Sequence, residues 1–490
     1  MLTKFYAHLE EIYRLSCIRG VLEWDQQVCL PPRGAVERAD HLETMSKLVH
    51  QRLTDPEFIA LVHDLSERSD LSEDDRVNVL QIKRDVDRQG RLSEAFVAER
   101  TRVTSVAYTE WTTARPENNF ARVMPHLTRI VELAREEADR VGYGEHPYDA
   151  LLDAYEPYAT LSAIKPLLLN LGEELAKLVP EIAAKTAHIA PVSGRFPEAA
   201  QAALCSRVLR DIGYNFESGR LDKTHHPFQS SLGSEDIRIT TRYDETNYLS
   251  GLFTVLHEAG HAMYEDGLPK ESKGRPLGSP VSLGIHESQS RFWENIVGRS
   301  VPFSRYLHRL IAEYFPEEHR RSSPEVIWRE TNKVRPSLIR VEADEVTYSL
   351  HVVIRLLLEE ALISGDLDVY DLPSAWGDMY ERYLGIRPES DTVGVLQDVH
   401  WYGGMIGYFP TYALGNLYGA LMLGAMREAL PDLDRAVEQG DFSPIYNWLR
   451  ANVHRHGMRY RGVELIKRIS GAELSAEPFI QYIKAKFELR

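Results

Sequence analysis

Residues 257–261 read His-Glu-Ala-Gly-His, an H-E-x-x-H sequence inside a stretch that predicts a helix from Asn247 to Asp266. Thr246 or Asn247 can cap this helix, and apolar residues recur along it every three or four positions. Residues four apart leave a helix on the same face, so both imidazoles can meet one ion while Glu258 points at its water. The pentapeptide therefore predicts a metal-dependent hydrolase.

A third metal ligand is required, because H-E-x-x-H also occurs by chance and catalytic zinc usually takes three protein ligands. A second predicted helix begins near Ile285 and carries Glu287 next to Phe292 and Trp293. Acidic side chains beside large aromatic residues are unusual for a solvated face, so Glu287 is the predicted third ligand. Three other residues are weaker candidates that better fit a supporting role: Glu294, His286 and Asp344.

The composition is that of a soluble globular protein, with 490 residues, 43% hydrophobic content and a formal net charge of -16. An acidic chain of this kind argues against nucleic acid as a general partner. The three cysteines show no spacing typical of metal ligands or a disulfide framework. No apolar run reaches the roughly 18 residues of a membrane span, and the first residues lack a signal-peptide core, so a cytoplasmic location is expected.

The first 142 residues predict successive helices with solvated charged faces and no evident chemistry. These segments are Tyr6–Val21, Val36–Arg52, Glu73–Gln89, Glu94–Ala114 and Phe120–Val141. We expect one domain over residues 1–490, in which residues 1–190 form a helical wall and residues 191–490 carry the metal and the catalytic groups.

A strong strand pattern occurs at Asp236–Tyr243, where branched residues alternate with polar ones. We expect a small sheet beside the metal helix. Placed just before that helix, the strand could bind an extended peptide along its edge, with Arg238 as a candidate contact. A hairpin that only packs is an equal alternative.

Six motifs occur in an order typical of one family. They are His226-Pro227-Phe228, Asp236-Ile237-Arg238-Ile239-Thr240, the H-E-A-G-H helix, His286-Glu287-Ser288-Gln289, Ile339 to Asp344 (I-R-V-E-A-D), and Gly394 to Trp401 (G-V-L-Q-D-V-H-W). By these motifs the sequence resembles the carboxypeptidase Taq family of metallocarboxypeptidases over nearly its whole length. Trp24-Asp25-Gln26 is also similar to the family's opening helix.

This resemblance implies a mainly α fold, with a large helical domain, a deep substrate groove and a small sheet beside the H-E-x-x-H helix, as in neurolysin and angiotensin-converting enzyme. It implies a homodimer that removes single carboxyl-terminal residues from peptides with broad specificity. One divalent ion is expected, Zn²⁺ in the first place with Co²⁺ as a substitute. The resemblance also places His226 near the active site.

A carboxypeptidase must recognise a free terminal carboxylate, which a planar guanidinium binds through two hydrogen bonds. Arg340 matches the arginine of the family's I-R-x-x-A-D motif and is the first candidate for this anchor, with Arg335 as the second. The alternative is an arginine that only holds the fold, paired with Glu342 or Glu345.

The segment from Gln397 to Tyr412 combines glycines with side chains that can donate a hydrogen bond to an oxyanion. In related zinc peptidases a His and a Tyr placed after the metal helices stabilise the tetrahedral intermediate. By that resemblance His400, Tyr408 and Tyr412 are candidates, although aromatic residues at these spacings could equally be core. An endo-oligopeptidase on the same metal site and a catalytically silent peptide-binding protein are the alternative functions.

Overall fold

Helices dominate a computed structural model of the chain, which describes residues 1–187 and 194–489. The expected boundary between residues 190 and 191 lies outside the described residues. The helices are α1 (Leu2–Val28), α2 (Ala35–Leu53), α3 (Pro56–Ser66), α4 (Glu73–Gly90), α5 (Glu94–Ala114), α6 (Phe120–Val141), α7 (Pro147–Leu152), α8 (Leu161–Thr186), α9 (Glu198–Ile212), α10 (Tyr248–Gly267), α11 (Leu283–Arg291), α12 (Val301–Tyr314), α13 (Pro316–His319), α14 (Pro324–Thr331), α15 (Tyr348–Ser364), α16 (Leu372–Leu384), α17 (Pro410–Ala429), α18 (Leu433–Gln439), α19 (Ser443–Asn452), α20 (Gly462–Ser470) and α21 (Glu477–Lys486). The prediction of a mainly helical fold is confirmed.

Short irregular turns connect several of these helices. A π-helical segment, Phe292–Val297, continues α11 without a break. Tight 3₁₀ turns occur at Pro32–Gly34, Lys270–Ser272, Pro276–Gly278, Arg340–Glu342, Val369–Asp371 and His454–Arg459. The turn Arg340–Glu342 precedes α15 and carries the predicted carboxylate anchor.

The small sheet lies beside the H-E-x-x-H helix, as predicted. Its strands are β1 (Leu221–Lys223), β2 (Gln229–Gly233) and β3 (Asp236–Thr241). β3 is central, parallel to β1 and antiparallel to β2. The hypothesis that this strand binds substrate along a free edge is therefore wrong, because both of its edges already pair within the sheet.

The first helices pack around a core of their own. Phe5, Leu9, Phe58 and Val62 are buried members of a cluster separate from the main core. Helix α3, which carries the last two, was not predicted from the sequence. Polar and aromatic contacts attach these helices to the rest, among them the Ser234 N–H, which donates to the Tyr13 hydroxyl at 2.9 Å.

Helix α11 lies between α10 and α17 at the centre of the main core. Glycines allow the close approach on both sides. A Cβ atom at Gly260 of α10 would lie 2.4 Å from the carbonyl oxygen of Gln289, and one at Gly415 of α17 would lie 2.8 Å from Cγ of Glu287. The glycine within the H-E-x-x-H motif therefore brings the two predicted ligand-bearing helices together.

Candidate metal centre

The structure brings the three predicted metal ligands together. The ligand atoms of His257, His261 and Glu287 all lie within 4.8 Å of one another. The Nε2 atoms of the two histidines are 3.9 and 3.5 Å from Oε2 of Glu287. Within residues 1–187 and 194–489, this is the one group of His, Cys, Asp or Glu side chains with the spacing to hold a metal ion.

A second set of residues holds each predicted ligand in place. Nδ1 of His257 donates to Oε2 of Glu294 at 2.9 Å, and Nδ1 of His261 donates to the carbonyl oxygen of His286 at 3.1 Å. Nε of Arg291 donates to Oε1 of Glu287 at 2.7 Å. Both Nε2 atoms are therefore left to face a common point, which is how histidine ligands are oriented in metalloenzymes.

The three weaker ligand candidates lie outside this trio. Glu294 lies behind His257, and the His286 ring bonds through Nε2 to Oε1 of Glu265 at 3.0 Å. Asp344 organises the turn before α15, where its carboxylate accepts the backbone N–H groups of Val346 and Thr347 at 3.0 and 2.9 Å. These positions agree with supporting roles.

The charge distribution of the cluster suits a cation. Burial lowers the pKa of His257, but the carboxylates of Glu287 and Glu294 outweigh it and raise that pKa to about 9. Three carboxylates, those of Glu258, Glu287 and Glu294, lie near two arginines. Both arginines, Arg291 and Arg299, pair with Glu294. Two imidazoles and a carboxylate are the donor set of a catalytic zinc site, so the residues fit a divalent ion.

Glu258 is buried beside the predicted ligands, with 8% of its surface exposed. Burial raises the pKa of its carboxyl to about 7, against the lowering influence of His257. A carboxyl group with this pKa can both accept and return a proton near neutral pH.

His400, Tyr408 and Tyr412 form one aromatic group. The rings of His400 and Tyr408 are stacked with centroids 5.4 Å apart, and the Tyr408 and Tyr412 rings meet edge-on at 5.1 Å. Burial lowers the pKa of His400 to about 4 and raises that of Tyr408 to about 12. All of these side chains are therefore neutral near pH 7, and the negative charge of Glu287 contributes to the raised pKa of both tyrosines.

Arg340 is buried and lies against an aspartate of the G-x-x-Q-D-x-H-W motif. Its Nε and Nη2 donate to Oδ1 of Asp398 at 3.1 and 2.9 Å, and Nη1 donates to the Tyr348 hydroxyl at 3.0 Å. Pairing with Glu342 or Glu345, the alternative drawn from the sequence, is wrong because the partner is Asp398. Glu345 instead pairs with the buried Lys486.

Asp398 is shared with a second buried arginine. Nε of Arg355 donates to Oδ2 of Asp398 at 2.7 Å, and the Arg355 side chain is fully buried. Burial would raise the pKa of Asp398, but Arg355 and Arg340 outweigh it and hold that pKa well below its usual range. Two guanidinium groups thus share one carboxylate, which leaves one positive charge in excess.

A direct chain of contacts connects the two charged clusters. Arg291, which holds Glu287, also lies with its guanidinium carbon 4.0 Å from the centre of the Tyr348 ring. The hydroxyl of Tyr348 then accepts from Arg340. The predicted ligand and the predicted anchor are therefore separated by only two side chains.

The remaining predicted substrate contacts have other surroundings. Arg335 is exposed, and its backbone N–H donates to Asp344 at 3.1 Å. His226 is exposed in the bend between β1 and β2. Arg238 pairs with Asp236 at 2.7 Å, and its guanidinium carbon lies 4.5 Å from the centre of the Trp24 ring. Both contacts are explained by the packing of α1 against the sheet.

Sequence reasoning missed Arg355, Tyr348 and Asp398. Arg355 lies in the apolar run of α15, where a charged residue needs a buried partner, and that signal was available. Asp398 was quoted as part of a motif without a role. Its pairing with arginines 43 and 58 positions away could not be read from any local spacing.

A helix bearing H-E-x-x-H, a glutamate from the next long helix, and a buried glutamate beside them are the features of a metallopeptidase. The sequence profile of the carboxypeptidase Taq (M32) metallopeptidase family matches residues 4–487. The chain belongs to this family, and it is a metal-dependent carboxypeptidase that acts on peptides.

Relatives with this activity in their names match the chain end to end. Thermostable carboxypeptidase 1 of Thermus thermophilus is 40% identical, over 98% of both chains. Carboxypeptidase 1 of Bacillus subtilis is 38% identical, over 99% of this chain and 97% of the other. The crystal structure of the M32 carboxypeptidase from Deinococcus radiodurans has a TM-score of 0.96 and 38% identity, over 99% and 98% of the two chains.

Among the described residues, no helix is both long enough and apolar enough to span a membrane.

Proposed function

We propose that this carboxypeptidase removes single carboxyl-terminal residues with broad specificity, using one Zn²⁺ ion for which Co²⁺ can substitute. His257, His261 and Glu287 would hold the ion. The observation that carries this proposal is the convergence of their three ligand atoms, each oriented from behind by a further residue. When bound, a divalent ion of this kind supplies Lewis-acid chemistry, which activates water and polarises a carbonyl group.

Glu258 serves as the general base. It accepts a proton from the attacking water and then delivers it to the departing amine. Its burial and its pKa of about 7 support this role, because a general base works best when its pKa is close to the operating pH.

His400, Tyr408 and Tyr412 donate hydrogen bonds to the oxygen that becomes negative during the attack. Their neutrality supports this role, since a neutral imidazole carries one N–H and a neutral phenol carries an O–H that can donate a hydrogen bond. Nδ1 of His400 is buried with no hydrogen-bond partner among the described residues. This atom lies 3.7 Å from Oδ1 of Asp398, which leaves Nε2 as the ring nitrogen that can reach a substrate.

Arg340 binds the terminal carboxylate of the peptide. A guanidinium has five N–H groups, and the contacts with Asp398 and Tyr348 use three of them, which leaves two. The excess positive charge of Arg340, Arg355 and Asp398 supports an anionic ligand, because a buried unbalanced charge is costly until it is paired. Holding the carboxylate at this point would select the last peptide bond for cleavage.

Arg335, His226 and Arg238 stay predictions of substrate contact. The family resemblance also implies a homodimer, and the sequence predicts a cytoplasmic location; we carry both forward as proposals. Sedimentation of the purified protein at several concentrations would test the first, and fractionation of the source cells the second.

Mass spectrometry of a free-acid peptide and its amidated twin tests the proposed reaction. The protein should be loaded with Zn²⁺ or Co²⁺ and compared with Glu258→Gln. We expect a ladder that shortens from the carboxyl end of the free acid only and is absent in the variant. Internal fragments from both peptides would instead indicate an endo-oligopeptidase, and no cleavage with either metal would indicate a silent binder.

A further inference from the structure

A cavity of about 210 Å³ adjoins the aromatic group that carries His400. Tyr155, in the turn after α7, is part of its lining, and the Tyr155 ring meets the Tyr408 ring edge-on at 5.4 Å. Gly404 and Ile406, which follow His400 in the chain, form another part of the lining. The cavity is therefore one side chain away from the groups proposed to contact the reacting carbonyl.

The cavity wall is mixed, with slightly more apolar than polar surface. Leu92, Ile130, Leu133, Leu151 and Ile406 contribute to it. An apolar cavity of about 150 Å³ is already large enough to hold benzene. The volume therefore suits a side chain as large as that of leucine, methionine or phenylalanine.

The charged groups of the lining do not suit a cation. Arg88 and Arg100 each bond to one oxygen of Glu137, the first at 3.1 Å. Two guanidinium groups thus face one carboxylate, and both carboxylate oxygens already accept hydrogen bonds. A lysine side chain entering the cavity would meet two guanidinium groups and no free carboxylate, because Asp153 beside the lining already pairs with Arg84 and Arg88.

We propose that this cavity accommodates the side chain of the substrate's carboxyl-terminal residue. The inference rests on the proposed function, in which Arg340 holds the carboxylate of that same residue and His400 holds the carbonyl group of the bond that joins it to the penultimate residue. Large, neutral, apolar side chains are the preferred class, because each buried methylene contributes favourably to binding and the lining has no free carboxylate to pair with a cationic group. The cavity thereby sets the selectivity of an otherwise broad exopeptidase.

Filling the cavity tests this proposal. Ala134 of α6 lies on the wall, and Ala154 lies at an exposed position of the rim. For Ala134→Met and Ala154→Phe, we expect kcat/KM for N-blocked peptides ending in Met, Leu or Phe to fall at least 10-fold. Peptides ending in Gly should change less than 3-fold. Ala95→Met, at an exposed position of α5 outside the cavity, is the matched control and should keep the wild-type preference.

The two filling variants make the outcome decisive. Because Ala154 is exposed, Ala154→Phe is expected to fold even if Ala134→Met does not. An unchanged ratio of large to small substrates in a folded filling variant, or an equal loss on all of them, would overturn the proposal. Release of carboxyl-terminal residues by the wild type is scored separately, so failure of the proposed reaction is distinguishable from failure of the pocket assignment.

A charge substitution supplies an independent test. Wild-type enzyme should release a terminal Met at least 10-fold faster than a terminal Lys, although the two side chains are similar in length. Arg100→Gln removes one positive charge and frees an oxygen of Glu137. The Met-to-Lys ratio should then narrow at least 3-fold, and an unchanged ratio would contradict the assignment of this lining to the terminal side chain.

Discussion

Two buried charged clusters of different composition lie close together in this carboxypeptidase. Around the predicted metal ligands, Glu258, Glu287 and Glu294 face Arg291 and Arg299. In the second cluster, Arg340 and Arg355 share Asp398. The first has an excess of carboxylates and the second an excess of guanidinium groups. Each is therefore incomplete without a ligand of the opposite charge.

The difference explains how one site can combine hydrolysis with selection of the chain end. The acidic cluster calls for a cation, and the basic cluster calls for an anion such as a terminal carboxylate. Arg291 and Tyr348 lie between them and contact both. A rigid connection of this kind would hold the metal and the peptide terminus at a constant separation, which defines the bond to be cleaved.

Substituting the proposed base of the acidic cluster should have the largest effect. Glu258→Gln keeps the shape of the side chain and all three predicted ligands, so metal content should be unchanged. We expect kcat to fall about 10³-fold, the middle of the range for general acid–base catalysis. Glu271→Gln, at an exposed position beyond α10, is the control and should retain full activity. Normal turnover by Glu258→Gln would remove this residue from the mechanism.

Removing Arg340, and with it the unbalanced positive charge of the Arg340, Arg355 and Asp398 cluster, should have the next largest effect. In Arg340→Ala, Asp398 keeps its bond to Arg355, so the carboxylate is not left unpaired. We expect the kcat/KM advantage of a free-acid peptide over its amidated twin to shrink about 100-fold, which is typical for the loss of a buried charge contact. Arg329→Ala, at an exposed position of α14, is the matched control. Equal losses on both peptides would indicate that Arg340 only maintains the fold.

A smaller effect is expected from the carboxylate behind the first histidine. Glu294→Gln can still accept the His257 hydrogen bond but removes the negative charge that makes the imidazole a better donor. The dissociation constant for Zn²⁺, measured by competition with a chelator, should rise about 10-fold to 100-fold. Glu265→Gln, which contacts His286 rather than a predicted ligand, should raise it less. Similar values for both variants would argue against a specific role for Glu294.

The acidic cluster could be predicted well from the sequence, whereas the basic cluster could not. Four-residue spacing gives the face of a helix directly, so His257 and His261 were predicted together. Glu287 followed from its unusual aromatic neighbours. Arg340 and His400 were singled out by their motifs, but their common partner Asp398 was not. Contacts between distant segments have no periodicity, and two arginines that share one carboxylate leave no local pattern.

The same limit explains the errors in the fold. The strand Asp236–Thr241 was predicted as a strand, but strand order is a long-range property, and β3 proved to be central rather than at an edge. Helix α3 was missed because it is short, although Asp55 caps it with two hydrogen bonds. The division of the chain into a helical wall and a catalytic portion stays a prediction.

Carboxylates in both clusters pair with arginines, whereas a further buried carboxylate, Glu359, pairs with none among the described residues, and the smallest predicted effect concerns this residue. Glu359 is fully buried and accepts hydrogen bonds from the Tyr148 hydroxyl, the Trp401 Nε1 and the backbone N–H of Gly407. None of these three donors is charged, in contrast with those around Asp398. Burial raises the pKa of Glu359 from 4.5 to about 7, despite these hydrogen bonds.

The raised pKa makes the folded protein less stable as pH increases. Between pH 4.5 and 7 the folded chain retains a proton on Glu359 that the unfolded chain has lost, so the free energy of unfolding declines with pH in this window. Glu359→Gln is neutral throughout and should weaken this decline by about 1 kcal/mol per pH unit. Urea denaturation at pH 5, 6 and 7 would measure it, with Glu360→Gln as the neighbouring control. A decline as steep as in the wild type would mean that Glu359 is already ionised in the fold, and that neutral donors alone can hold a buried charge here.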